Sequence, residues 1–263
     1  MITSLTNPRV KEVKSLHRQR VRQQTGLFLV EGLRLVEEAL RAGHVPALVF
    51  FTPRLEESPR GSALLTALQD AAVQPAAVSE RVMQAMATTA TPQSVVAVCR
   101  VPDLRWPQQP TSLLILDRLR DPGNMGSVLR TAEAAGVEGV ILSPGTADAF
   151  NPKVVRGGMG AHFRLSMRSL AWAEIGHAVR GLRVWVADVR GVTPYYQADW
   201  KAPWALVVGG EAAGSSAEAQ ALVSGRVCIP MPGQAESLNA VVAAGIILFE
   251  AVRQRSFAQK AHL

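Results

Sequence analysis

The run Leu113-Leu-Ile-Leu-Asp117 constrains this chain more than any other stretch. It is short and apolar up to its last residue, as a strand buried on both faces should be, and such strands belong to parallel sheets covered by helices. Asp121-Pro-Gly123 then breaks the chain in a turn. From Ser127 the spacing becomes helical, with Val128, Ala132 and Ala135 on one face and Arg130 and Glu133 elsewhere. Gly136 is placed to end that helix in the left-handed region, and Val140-Ile-Leu-Ser143 opens a new strand. The pattern predicts a βαβ unit with a polar loop at the C-terminal end of its first strand, where open α/β sheets hold their ligands. That loop carries an amide (Asn124), a glycine for close approach (Gly126) and Arg130 one turn into the helix.

Upstream, residues 1 to 25 set Arg9, Lys11, Lys14, Arg18, Arg20 and Arg22 against a single acid, Glu12. Val10, Val13 and Leu16 form a narrow apolar stripe on a helix after Asn7-Pro8. The segment reads either as a solvated basic helix or as one that touches phosphates. Strands follow at Leu27–Val30, Ala47–Phe51, Gln74–Val78 and Ser94–Cys99, with helices through Leu33–Leu40, Ala63–Ala71 and Glu80–Met86 between them. This alternation predicts a small α/β layer. Val101 to Ser112 holds three prolines and little periodicity. A first domain is therefore expected over 1–105, a linker over 106–111 and a second domain over 112–263. Further strands are expected at Arg183–Ala187 and Trp204–Val208. The last helix, Asn239 to Arg253, is apolar around most of its girth and must be buried on several sides. In the glycine-rich stretch Gly157 to Phe163, His162 reads as an ordinary, partly exposed histidine.

The chain of 263 residues is 48% apolar, enough for a proper core. A net charge of +7 and a sequence pI of about 10.1 favour a polyanionic partner. Cys99 and Cys228 sit in apolar, strand-like runs and are expected as buried thiols. The five histidines are scattered and none pairs with a cysteine, so no metal site is expected. The first stretch is polar and basic, and no apolar run is long enough to span a bilayer, so the expected location is the cytoplasm, with no membrane partner.

Three phrases, in order, carry a resemblance to a known family. Asn124-Met-Gly-Ser-Val-Leu-Arg130, Val207-Val-Gly-Gly-Glu-Ala-Ala-Gly214 and Ile229-Pro-Met-Pro-Gly-Gln-Ala-Glu-Ser-Leu-Asn239 resemble the three motifs of the SpoU/TrmH-type RNA 2′-O-ribose methyltransferases of the SPOUT superfamily. The resemblance implies an α/β fold closed by a deep trefoil knot, a homodimer formed through the last helices, and S-adenosylmethionine as cofactor. It implies cofactor contacts at Gly209, Ile229, Met231 and Leu238, and catalytic roles for Asn124, Arg130, Glu211, Ser237 and Asn239. Phe28-Leu-Val-Glu-Gly32 and Pro92-Gln-Ser-Val-Val-Ala97 resemble the L30e-like RNA-binding domain that precedes the catalytic domain in many of these enzymes. Ribosomal RNA is then the preferred substrate. Transfer RNA stays open, as does a non-catalytic RNA-binding relative with a degenerate site. Gly209-Gly210 does not extend to the G-x-G-x-x-G of Rossmann nucleotide binders.

Overall fold

Residues 1–210 and 214–260 are described by a computed structural model, in which the chain forms two units. The first comprises Met1–Asp103 and Asp148–Phe163, and the second Leu104–Ala147 and Arg164–Leu263.

In the first unit α1 (Pro8–Ser15) starts on the Asn7 side chain, which accepts from Arg9 N at 3.0 Å, with Pro8 at the position where a missing N–H is harmless. Then follow α2 (Gln19–Thr25), β1 (Leu27–Glu31), α3 (Leu33–Arg41), β2 (Leu48–Phe51), α4 (Pro59–Asp70), β3 (Ala76–Ala77), α5 (Glu80–Met86) and β4 (Val95–Arg100). The sheet order is β1-β4-β2-β3, with only the β2–β3 pair parallel. Alternation along these strands builds two cores. Phe28, Val30, Val95, Ala97 and Cys99 face α3 and α4, while Leu29, Val96 and Val98 face α1 and α5. Val10, Val13 and Leu16, the expected stripe, lie fully inside the second core. Arg22 departs from the basic run: it is buried, its Nε donates to Asp148 at 3.0 Å and its Nη1 to Leu16 O at 2.7 Å. Arg9, Lys11, Lys14, Arg18 and Arg20 remain exposed.

The second unit opens with β5 (Ser112–Asp117), α6 (Pro122–Ala134) and β6 (Gly139–Leu142). The chain then passes through α7 (Pro152–Gly158), which belongs to the first unit. Residues 148–163, expected within the second domain, join the first because Phe150, Val155 and Phe163 complete the core around Phe28. His162 is buried there rather than partly exposed. Its Nε2 meets Ala149 O at 2.7 Å, and burial pushes its pKa down to about 4.

The chain then supplies β7 (Met167–Ser169), α8 (Trp172–Ala178), β8 (Arg183–Ala187), β9 (Thr193–Pro194), β10 (Trp204–Gly209), α9 (Ala217–Leu222), β11 (Gly225–Cys228) and α10 (Ala240–Lys260). All seven strands of this sheet are parallel, in the order β7-β6-β5-β10-β8-β11-β9. From β5 the chain winds outward through β6 and β7, and its remaining strands lie on the other side. The C-terminal edge beside β5 and β10 is thus the switch point of the sheet. Leu113 to Leu116 are fully buried, as their composition requires. Among the described residues no helix is long and apolar enough to cross a membrane, and no group of histidine, cysteine and acidic side chains is set to hold a metal ion. Cys99 is buried, which pushes its thiol up to about 12, and Cys228 is half-buried; both are free thiols.

Candidate active site

The first motif begins earlier in a helix than its composition implies. Asp121-Pro-Gly123 is the start of α6, not a turn ahead of it. Asp121 caps the helix by accepting from Asn124 N at 2.7 Å, and Pro122 takes the first helical position. Asn124 and Gly126 therefore sit in the first turns of α6, and Arg130 more than two turns in.

The second motif leaves β10 at Gly209. A β-carbon there would lie 2.5 Å from the Gly214 carbonyl carbon and 2.6 Å from Ser215 N, so only glycine lets these two backbone stretches meet. Asp117, fully buried at the end of β5, holds both sides of this turn. Its carbonyl accepts from Gly210 N at 2.9 Å, and its carboxylate accepts from Ser216 N at 2.6 Å and from Ser143 Oγ at 3.0 Å. Glu211 lies outside the described residues.

Beyond the C-terminal ends of β8, β10 and β11 these loops enclose a cavity of about 630 Å³. Of the residues singled out in the sequence, Gly209, Ile229, Met231, Ser237, Leu238 and Asn239 all line it. Asn239 also places α10: its Oδ1 accepts from Val241 N at 2.8 Å, while its Nδ2 donates to Asn124 Oδ1 at 3.2 Å. Asn124 thus reaches the cavity's rim through Asn239. Arg130 does not join them. It is exposed, lies off the cavity lining, and makes no hydrogen bond or ion pair among the described residues.

Four further residues shape the site without having been expected. Asp117 ends β5 and Asp188 directly follows β8 at the ligand-facing edge, and an acid closing an apolar run was the available signal. Asp188 accepts from Arg190 N at 2.9 Å and stands 3.8 Å from the Arg226 guanidinium. Ser215 and Gln220 line the cavity with Ser215 Oγ and Gln220 Oε1 buried and without a partner among the described residues. No periodicity marks them. Apolar walls, a glycine cradle and buried polar atoms awaiting partners fit a nucleoside-bearing cofactor of the size of S-adenosylmethionine.

Comparison with known proteins agrees along most of the chain. The model of the SpoU rRNA Methylase family matches residues 111–249, more than half of the chain, and that of the MRM3-like substrate binding domain matches 7–97. The chain is 36% identical over 250 residues to the 23S rRNA (guanosine(2553)-2′-O)-methyltransferase RlmP of Bacillus subtilis, covering 94% of this chain and 97% of the relative. It is 35% identical over 246 residues to the 23S rRNA (uridine(2479)-2′-O)-methyltransferase of Streptomyces viridochromogenes, covering 89% and 85%. The crystal structure of the SpoU methyltransferase AviRb from the latter organism, in complex with AdoMet, superposes with a TM-score of 0.86 at 31% identity, over 95% of this chain and 98% of that one. With its motifs converging on one cleft and its length matched almost end to end, this chain belongs to the SpoU rRNA methylase family.

Proposed function

We propose that the chain transfers a methyl group from S-adenosylmethionine to a ribose 2′-hydroxyl of ribosomal RNA. The observation that carries this reading is the convergence of the second and third motifs on one cavity whose wall holds unpartnered polar atoms. The bound cofactor supplies an electrophilic methyl group, and the protein supplies binding, alignment and electrostatics.

Gly209 admits the close backbone approach, and Ile229, Met231 and Leu238 wall the cofactor pocket. Ser237 and Asn239 stand where the third motif enters α10, and Asn239 ties that helix to Asn124. Arg130 cannot accept a proton at ordinary pH. Its task is to hold the neighbouring phosphate and to stabilise the negative charge that develops on the 2′-oxygen. Glu211 fixes the geometry of the second motif, a role that rests on the motif alone.

The trefoil knot is supported by the way β10 and β11 insert between strands laid down earlier, β10 between β5 and β8, β11 between β8 and β9. The homodimer is supported by α10, on which Val242 and Phe249 are 49% and 50% exposed, seven residues apart on one face. The first domain, 1–105, is read as the L30e-like RNA holder, its exposed Arg9, Lys11, Lys14, Arg18 and Arg20 meeting phosphates. The work is done in the cytoplasm.

The test uses ribosomal RNA and, in parallel, transfer RNA from cells lacking the gene. Each is incubated with purified protein and S-adenosylmethionine, digested, and searched for new 2′-O-methylnucleosides by mass spectrometry. A new 2′-O-methyl group in ribosomal RNA is expected. Transfer confined to transfer RNA would change the substrate, and cofactor binding without transfer to either would leave an RNA-binding module.

A further inference from the structure

The cleft has one feature that its apolar walls do not explain. Ser215 and Gln220 flank the cap residue Ser216, one before it and one four after, at the two positions where an apolar pair ordinarily packs across a helix start. Here both are polar, and Ser215 Oγ and Gln220 Oε1 are buried on the cavity wall without a hydrogen-bond partner among the described residues. Buried polar atoms left unpaired are destabilising, and a pair of them facing one cavity is accounted for by a ligand that satisfies them.

We propose that Gln220, assisted by Ser215, recognises the amino-bearing edge of the cofactor's adenine. This rests on the reading of the cleft as the S-adenosylmethionine site and adds to it a side chain that selects the base. The chemistry of the pair decides which part of the ligand it meets. A carboxamide offers an acceptor and donors on one flat end, the complement of the adenine 6-amino group beside a ring nitrogen. Val208, Val227, Ile229 and Ile247 line the same cavity and suit the faces of a flat ring. The charged amino-acid end of the cofactor needs a charged partner, since a buried ammonium against a neutral amide is poorly compensated. The cavity offers such a partner at Asp188, at the end of β8. The neutral pair is thereby left to the neutral part of the ligand, and removing the 6-amino group alone separates the base from the ribose hydroxyls.

The test needs neither RNA nor turnover. Calorimetry compares S-adenosylhomocysteine with its 6-deamino analogue, in which a hydrogen replaces the 6-amino group. Wild type is expected to prefer the adenine compound by about tenfold or more, the scale of one or two hydrogen bonds. Gln220→Met keeps length and removes the amide, so that ratio should fall about tenfold. Gln220→Glu keeps an acceptor and should preserve the preference. Because each variant is judged on a ratio of two ligands, partial unfolding cancels. An unchanged ratio in Gln220→Met, with wild type binding S-adenosylhomocysteine well, would overturn the inference and leave the cofactor site standing. Wild type that binds neither compound would overturn the site itself.

Discussion

Gly209→Ala adds one methyl group, and the structure says where it must go. The new β-carbon lies 2.5 Å from the Gly214 carbonyl carbon, 2.6 Å from its oxygen and 2.6 Å from Ser215 N. Ordinary contact begins near 3.4 Å, so this backbone has to retreat by about 0.9 Å, the difference between 3.4 and 2.5. It cannot slide away freely, because Gly210 N and Ser216 N are both held by Asp117, at 2.9 and 2.6 Å. Overpacking of this kind costs about 1–3 kcal/mol, which lowers Tm by about 2–4 °C per kcal/mol in a domain of this size. A displacement near 1 Å in a site that must position a ligand is also worth up to about 10²-fold in function. Calorimetry with S-adenosylhomocysteine should show affinity reduced about ten- to a hundredfold. The control is Gly233→Ala in the third motif, where an added β-carbon meets nothing within 4 Å and should change neither quantity. Wild-type affinity and Tm in Gly209→Ala would refute the claim that this glycine is required by backbone approach within the chain.

Three other outcomes are expected. His162, held neutral by burial with a pKa of about 4, refuses a proton that the unfolded chain accepts near 6.5. Its contribution is complete above pH 6.5 and is lost as pH falls toward 4, by up to about 3 kcal/mol; denaturant titrations at pH 5 to 6.5 should show this slope in wild type and not in His162→Gln. Arg130→Ala should fold and bind S-adenosylhomocysteine normally but lose about 10²–10³ in methyl transfer to its RNA, with Arg130→Lys still badly impaired; near-normal turnover in both would remove Arg130 from the mechanism. Wild type should sediment as a dimer and the Val242→Glu, Phe249→Glu double variant as a folded monomer, whereas a monomeric wild type at micromolar concentration would refute the α10 seam.

Long apolar runs were legible because their composition admits one solution. Leu113 to Leu116, Val184 with Val186, and Ala205 to Val208 are all buried in strands where they were expected. What escaped was short or of mixed polarity. In β11 only Val227 is fully buried, α9 has six residues, and β7 exposes Arg168 and Ser169. Such elements are held by their neighbours rather than by their own pattern. The segment 148–163 shows the same limit at a larger scale: nothing in its sequence tells which core Phe150 and Phe163 will join. That membership also bears on truncation, since a fragment beginning near residue 112 would leave Val155 and Phe163 without the core that covers them.

The earlier start of α6 also separates two residues that the motif places together. Asn124 and Arg130 are six residues apart in one continuous helix, which sets them about 120° apart around its axis. On the side of Asn124 lie Asn239, bonded to it, and Gly245, whose β-carbon would meet the Thr131 methyl at 3.6 Å, so this is the face along which α10 packs. Arg130 projects from another face, exposed and unpaired among the described residues. The amide and the guanidinium therefore face different sides of α6. Asn124 bonds Asn239, which leads into the helix whose Ala240, Ala243 and Ile247 line the cavity. In the role proposed for it, Arg130 meets the RNA backbone, the anion that a ribose methyltransferase brings. With that role, cofactor affinity should be indifferent to Arg130, because its partner enters only with the substrate.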